Sequence, residues 1–335
     1  MNCGVENTFL ELLRCPSCHQ ELSEEPACSS TLKCVCGRTY PVIDAVPRLL
    51  ENAEPEPTSD LAAVKSNSRK QNDFDYIRQS FSKEWGVFDY DADKTWGWTL
   101  DERKRIFLAD VGRTAAELEG KLLLDAGCGN GTLTAALAVF GMDIVGMDLN
   151  DRLGDANLNK DRKTGERSGR IHFVQGNLFN PPLKHDSFDL IYCSGVIHHT
   201  PSSKGTFKSL VPLVKRGGRL YVWVYGKRSI PVRVLGTSGR QLKRFISLGS
   251  LLTVCKAVAP FYKVATEALN ALGIAEFRKR KAREITLDIF DSWAPKYNYW
   301  HKEEEVQSWF REMGFENITI SGKQKHGFGC YGDKL

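Results

Sequence analysis

A glycine-rich loop between two aspartates is the part of this sequence best suited to bind a small ligand. Residues 127–131 read Gly-Cys-Gly-Asn-Gly, and Asp125 stands just before them. Glycines let a backbone approach a ligand closely, and the start of a following helix leaves amide donors exposed. Asp148 follows at a distance where an acidic residue can accept hydrogen bonds from two ribose hydroxyls. Thr132 occupies the place of the third glycine of the dehydrogenase fingerprint, so the pattern indicates a different nucleotide-like ligand.

Four cysteines near the N-terminus have the spacing of a metal site. They form two close pairs: Cys15, Cys18, Cys34 and Cys36. Two such pairs can complete a tetrahedral thiolate site for Zn²⁺, and metal binding would supply the folding free energy that so short a segment lacks. The second pair is C-x-C rather than C-x-x-C, so His19 and Cys28 are alternative ligands. A closed site with four protein ligands predicts a structural role for the zinc.

Two adjacent histidines could move a proton. His198 and His199 follow an apolar run that reads as a strand. Histidine titrates near neutral pH, so either residue could act as a general base toward a hydroxyl nucleophile. The alternative is that the His-His-Thr turn has only a structural hydrogen-bonding role.

Strands and helices alternate around these residues. The apolar pattern predicts five strands, at residues 122–124, 143–147, 171–177, 188–195 and 217–225. Apolar residues at helical spacing follow the glycine loop, and a further helix is predicted from about Ser203. This alternation indicates an α/β fold with a parallel sheet.

The glycine loop, the aspartate that precedes it and the strands in this order resemble class I S-adenosylmethionine-dependent methyltransferases. The resemblance is close over residues 120–225 and implies a Rossmann-like, seven-stranded methyltransferase sheet. It also implies that the loop holds the methionyl part of the cofactor, that Asp125 orients the loop and that Asp148 binds the ribose. Asn177 stands where this family usually has an aspartate beside adenine, and an amide can both accept and donate there. The cofactor-binding residues implied are Asp125, Gly127, Cys128, Gly129, Asn130, Gly131, Asp148, Leu149, Asn177, Leu178, Ser194 and Gly195.

The sequence around the cysteines resembles the small zinc-ribbon domains that accompany methyltransferases. At 335 residues with 41% apolar content, the chain can build one large domain and one small domain. An acidic, proline-containing stretch reads as a linker that separates the two. We predict a zinc ribbon at 1–50, a linker at 51–72, an aromatic arm at 73–120, the cofactor-binding core at 121–225, a basic helical insertion at 226–300 and the last core elements at 301–335.

The arm is the predicted lid over the cofactor, and the insertion is the predicted acceptor-side element. Eight aromatic residues crowd residues 72–98, and Trp96 and Trp98 are the candidates for a lid over the cofactor. Residues 226–283 carry a local charge of +11, which leaves −6 for the remainder of the chain. The middle of this stretch is apolar, but Lys256, Pro260 and Lys263 argue against a helix that spans a membrane.

These features predict a methyltransferase that acts on a small-molecule, lipid-linked or glycan acceptor, with O-methylation expected. One alternative is an RNA methyltransferase that uses the ribbon and the basic insertion, although the insertion has few aromatics for base stacking. Another is a protein that binds S-adenosylmethionine without methylating. The N-terminus lacks the features of a signal peptide, and ten cysteines suit a reducing compartment. We therefore expect a cytoplasmic enzyme, peripheral at an anionic membrane surface if the insertion contacts lipid.

Overall fold

A single mixed sheet of eleven strands organises the protein. The computed structural model describes residues 5–24, 30–51, 74–86, 95, 97–159, 169–226, 241, 245–273, 279–324 and 326–335. The strands are β1 Leu22–Glu24, β2 Thr31–Cys34, β3 Thr39–Ile43, β4 Val46–Leu49, β5 Leu122–Ala126, β6 Asp143–Asp148, β7 Ile171–Gly176, β8 Phe188–Ser194, β9 Val214–Tyr225, β10 Phe315–Gln324 and β11 Gly327–Lys334. Their order across the sheet is β1-β2-β3-β4-β7-β6-β5-β8-β9-β11-β10.

Ten helices are described. They are α1 Asn7–Leu10, α2 at residues 74–86, α3 Leu100–Val111, α4 Ala115–Leu118, α5 Thr132–Leu137, α6 Leu153–Asn159, α7 Ser203–Leu210, α8 Leu248–Ala271, α9 Ala282–Trp293 and α10 Glu303–Glu312. A capping box between Thr99 and Glu102 begins α3, and Gly112 ends it in the left-handed conformation.

The centre of the sheet is parallel and buried. Strands β4, β7, β6, β5, β8 and β9 pair in parallel. Strands β5 to β8 are almost continuously buried, which explains why their sequences read as apolar runs rather than as alternating patterns. β11 joins β9 in the antiparallel direction and β10 closes that edge. The carboxyl ends of β5, β6 and β8 therefore meet at one rim, where a ligand site is expected.

The N-terminal segment continues this sheet. β4 pairs with β7 through Arg48–Gln175 and Leu49–Gly176, and the apolar residues of the segment share a core with the central strands. His19 Nε2 lies 2.7 Å from Asn180 Oδ1, and Arg170 forms an ion pair with Glu6 at 2.7 Å. The sheet therefore has eleven strands rather than the seven we expected, because residues 122–334 contribute seven and the N-terminal segment adds four. Residues 52–72 of the predicted linker lie outside the described residues, so the linker stays a prediction, while the described N-terminal residues pack on the core.

Two helices follow β9. The inner face of α8 packs against α9 in a separate apolar cluster that includes Leu251, Leu252, Cys255 and Phe290. α8 is the one described helix that is long and apolar enough to cross a membrane by length and composition alone. Length and composition do not test whether Lys256, Pro260 and Lys263 prevent a spanning helix, so that expectation stays a prediction.

Candidate functional site

The glycine loop forms a tight turn between β5 and α5. Gly129 has φ 60°, and a Cβ at this position would lie 2.5 Å from Cζ2 of Trp85. Trp85 belongs to α2, so the aromatic arm lies directly on the loop. Gly131 has φ 72° and is the N-cap of α5. Asn130 Oδ1 accepts a hydrogen bond from Thr132 N at 3.2 Å, which fixes the start of that helix.

Asp148 holds the loop from the end of β6. Its Oδ2 accepts from Gly129 N at 2.8 Å, and its Oδ1 accepts from Asn150 N at 2.9 Å. Each carboxylate oxygen has a second acceptor position, so both can still receive a hydroxyl. Burial raises the pKa of Asp148, because the ionised carboxylate is removed from water.

Asp125 is buried beneath the same loop. Its Oδ2 accepts from Thr134 Oγ1 at 2.6 Å, a contact that ties β5 to α5. Burial raises the pKa of Asp125 to about 6. This position fits the orienting role that the resemblance implies.

The two histidines lie in a turn of 3₁₀ helix after β8, and both are buried. His199 Nδ1 lies 3.0 Å from the carbonyl oxygen of Tyr297. A carbonyl can only accept, so Nδ1 carries the proton and Nε2 is the basic nitrogen of neutral His199. The His198 ring lies 4.2 Å from the His199 ring and 4.0 Å from the Tyr225 ring.

One large cavity joins most of the predicted site residues. Its volume is about 1680 Å³, which exceeds the ~300–1,000 Å³ of a typical ligand pocket, so it has room for a cofactor and an acceptor together. The predicted residues that line it are Asp125, Gly127, Cys128, Asp148, Leu149, Asn177, Leu178, Ser194, Gly195, His198 and His199. Gly129, Asn130 and Gly131 are not among its lining residues. They belong to the turn before α5, in which Gly131 N donates to the Cys128 carbonyl oxygen.

Several cavity residues were not anticipated from the sequence. Glu84 of α2 is only 2% exposed, and burial together with the carboxylates of Asp291, Asp148 and Asp288 raises its pKa well above the usual value. The Tyr225 hydroxyl donates to Asp291 Oδ2 at 3.0 Å. The aromatic density of the arm was the only sequence signal near Glu84. Trp98 lines the cavity as predicted for a lid residue, whereas Trp96 lies outside the described residues.

The four cysteines lie together in the N-terminal segment. Their sulfur atoms all lie within 4.8 Å of one another. Cys15 Sγ is 3.7 Å from Cys36 Sγ, and Cys18 Sγ is 3.3 Å from Cys34 Sγ. Zn–S bonds of about 2.3 Å give tetrahedral S–S separations of about 3.8 Å, so the cluster is close to the size that Zn²⁺ needs. Cys28 lies outside the described residues, and the partner of His19 is Asn180.

Comparisons with known proteins agree with this geometry. Residues 124–222 match the family described as "Methyltransferase domain". Demethylmenaquinone methyltransferase of Clavibacter sepedonicus is 24% identical over 206 residues, which cover 62% of this chain and 70% of that protein. Mitochondrial ubiquinone biosynthesis O-methyltransferase of Schizosaccharomyces pombe is 22% identical over 190 residues, which cover 57% of this chain and 68% of that protein.

The chain is a methyltransferase that uses S-adenosylmethionine. Among solved structures, the methyltransferase is similar to magnesium protoporphyrin IX methyltransferase of Synechocystis PCC 6803 with bound cofactor. The TM-score is 0.46 with 16% identity, and the match covers 84% of this chain and all of that one. The parallel sheet with its helices confirms the predicted α/β fold, and the family match with the named relatives confirms the predicted enzyme class. The roles of individual site residues remain predictions.

The methyltransferase's own residues fit the cofactor. Gly129 lies so close to the Trp85 ring that any side chain at this position would collide with it. Asp148 retains one acceptor position on each oxygen, and Asp148, Asn177 and both histidines line the same cavity. A ribose at this carboxylate and an acceptor at the histidines would therefore share one space.

Proposed function

We propose that this methyltransferase transfers a methyl group to a hydroxyl of a small, largely apolar acceptor. The observation that carries the proposal is the single cavity that joins the cofactor loop, both histidines and an apolar wall. That wall includes Phe74, Ile77 and Phe81 of α2, with Ile285 and Ile289 of α9. An apolar wall with a few polar groups at one point is typical of a small-molecule site.

The names of the two relatives support an acceptor of this kind. One is named for demethylmenaquinone and the other for O-methylation in ubiquinone biosynthesis. Both names indicate ring compounds of the quinone class. We propose a hydroxylated ring with an apolar substituent as the acceptor of this chain.

His199 is the residue that we assign to proton removal. When bound, S-adenosylmethionine supplies an electrophilic methyl group on a sulfonium. An acceptor hydroxyl that takes this methyl group must give up its proton, and His199 Nε2 would receive it. The Tyr297 carbonyl holds the other ring nitrogen at 3.0 Å and so fixes the direction in which Nε2 points. His198 packs against this ring and keeps it in place.

The arm helix α2 has the task of excluding water. Trp85 covers the glycine loop, and Phe81 lies 6.1 Å from the His199 ring. One helix therefore contacts both the cofactor end and the proton-transfer end of the cavity. Alignment and exclusion of water are the contributions that a methyl transfer needs most from a protein.

Labelled S-adenosylmethionine tests the proposal. The full chain is incubated with three fractions of host cells, namely a detergent-dispersed organic extract, an aqueous metabolite pool and total RNA. We expect label in a base-stable product of the organic extract, since methyl ethers resist the alkali that cleaves methyl esters. Label only in RNA would favour the RNA alternative, and label in no fraction would favour a protein that binds the cofactor without transferring from it.

A structural zinc site is the second element of the proposal. The size of the four-cysteine cluster supports Zn²⁺ held by Cys15, Cys18, Cys34 and Cys36. Elemental analysis should give about one equivalent of zinc per chain, lost on Cys15→Ser or Cys34→Ser. His19→Ala is the matched control, and it should retain the metal. Loss of zinc from the control would assign a ligand role to His19.

A further inference from the structure

The helix α8 has two faces of different character. Its buried residues, Leu251, Leu252, Cys255 and Ala259, face α9. On the opposite face Phe261 is 77% exposed and Val264 is 64% exposed, with Leu272 just beyond the helix at 71%. Exposed large apolar residues gathered on one face mark a contact surface rather than an ordinary solvated helix.

The outer face of α8 has no charged residue among the described residues 248–271. At 100° per residue, this face contains Ser250, Thr253, Ala257, Pro260, Phe261, Val264, Ala268 and Ala271. The three charged residues of the helix, Lys256, Lys263 and Glu267, lie along one edge, within about 40° of one another on the same projection. A charged edge beside an uncharged apolar face is the pattern of a helix that lies in a membrane interface.

The inner face of α8 is also a wall of the cavity. Val258, Tyr262, Thr266 and Asn270 line it, so the apolar outer face and the acceptor space are separated by the thickness of one helix. A spanning arrangement would remove this inner face from α9 and open the cavity. The contacts therefore favour a helix that lies along a surface.

We infer that the outer face of α8 rests on the surface of an anionic lipid bilayer, from which an acceptor with a hydrocarbon substituent enters the cavity. This inference rests on the proposed function. The occupant is chosen by charge, because residues 226–283 carry +11 and the described part includes the exposed cations Lys256, Lys281 and Arg283 outside the cavity lining. Cations near a negative lipid surface each contribute to attraction, and the aromatic and aliphatic side chains insert.

Vesicle co-sedimentation of the full chain tests the inference. The probes are vesicles of phosphatidylcholine alone and vesicles with phosphatidylcholine and phosphatidylglycerol in a ratio of about 3:1, a charge density at which basic segments bind. We expect binding to the anionic vesicles only, weakened by salt. The double variant Phe261→Asp/Val264→Asp should lower the partition coefficient at least ~10-fold. Val139→Asp, at a site that is 57% exposed in the core domain, is the matched control and should bind as the wild type does.

Three outcomes would overturn the inference. The first is that the wild type binds neither kind of vesicle, and the second is that Val139→Asp loses as much vesicle binding as the double variant. The third is self-association of the wild type that the double variant abolishes, which would assign the face to a second copy of the chain. Binding of S-adenosylhomocysteine by calorimetry verifies that each variant is folded. Methyl transfer to the detergent-dispersed extract separates the two proposals, because the double variant should retain it even if the vesicle result is negative. If no extract is methylated by any variant, the proposed function fails instead.

Discussion

The N-terminal segment and the α8–α9 insertion are both additions to the same methyltransferase core, and they are attached in opposite ways. The N-terminal segment joins by backbone pairing, since β4 extends the sheet beside β7. The insertion joins by side chains, since α8 and α9 lie over the cavity and leave one apolar face exposed. The four cysteines are absent from the cavity lining, whereas residues of α8 and α9 make up part of it.

This difference indicates separate tasks. An addition that shares strands and a hydrophobic core with the sheet contributes mainly to stability and can alter the site only through the fold. An addition that lines the cavity determines which acceptor fits and how it arrives.

Removal of zinc should destabilise the whole protein and not only its N-terminus. Structural zinc contributes ~10–16 kcal/mol in isolated fingers, so even a part of this, about 5 kcal/mol, would lower Tm strongly. Because β4 is part of the main sheet, we expect Cys15→Ser to give one cooperative transition at lower temperature, measured by calorimetry. Two separate transitions, with the upper one unchanged, would show that the ribbon and the core are independent after all.

Replacement of His199 should lower turnover, whereas removal of zinc should lower stability. A general base contributes roughly 10²–10⁴ to the rate, so His199→Ala should lower kcat at least ~100-fold while S-adenosylhomocysteine affinity stays nearly constant. His198→Ala, measured in parallel, should have a smaller effect on kcat because its ring only packs against that of His199. Equal loss in both variants would point to a structural role for the pair.

Asp110 reports on the core, because its hydrogen-bond partners among the described residues include Tyr192 of β8 and Ser321 of β10. Burial raises the pKa of Asp110 to about 6, and Tyr192 donates to its Oδ2 at 3.1 Å. The folded state therefore binds this proton more tightly than the unfolded chain, whose aspartates titrate near ~4. The free energy of unfolding should fall by about 2 kcal/mol as pH rises from 4 through 6, and the loss should persist above pH 6.

Asp110→Asn should remove this part of the pH dependence. Urea denaturation at a series of pH values measures it as the difference between wild type and variant. Glu119→Gln, an exposed carboxylate, is the control and should leave the profile as in the wild type. If the free energy of unfolding of Asp110→Asn changed between pH 4 and pH 7 by as much as that of the wild type, the assignment would be contradicted.

Glu84 should favour binding of the positively charged S-adenosylmethionine over binding of its product S-adenosylhomocysteine, whose sulfur is uncharged. Its carboxylate lies among Asp148, Asp288 and Asp291, and burial is the largest cause of its raised pKa. A sulfonium in the cavity favours the ionised form, so Glu84→Gln should weaken S-adenosylmethionine several-fold more than S-adenosylhomocysteine, a difference on the order of 1 kcal/mol. Calorimetry with both ligands measures the ratio, and equal loss for both would assign Glu84 a packing role only.

Local sequence patterns predicted the centre of the fold well. All five expected strands are present and end within two residues of the expected position, and four of them begin at the expected residue, while β9 begins three residues earlier. Their apolar runs report burial on both sides of a parallel sheet, which is a local property. The pairing of β4 with β7 could not be predicted this way, because it joins residues far apart in the chain and depends on a register that no local pattern records.

The candidate site was predicted only in part for a related reason. The loop, Asp148 and the histidines follow strand ends, so topology alone brings them to one rim. Glu84 and Trp85 come from α2, which has no strand to fix its position, and Asp291 comes from the insertion. Trp85 is placed by packing on Gly129, a contact between residues more than forty positions apart.

The pairing of β4 with β7 also has a consequence for the time course of folding. Arg48 lies opposite Gln175, so β4 leaves the ribosome before its partner strand and can pair only after β7 has been synthesised. Contacts of such long range are slow to form, and the unpaired edge of β4 would meanwhile be open to other chains. A metal ion bound early by the four cysteines would keep the nascent N-terminal segment folded until β7 emerges.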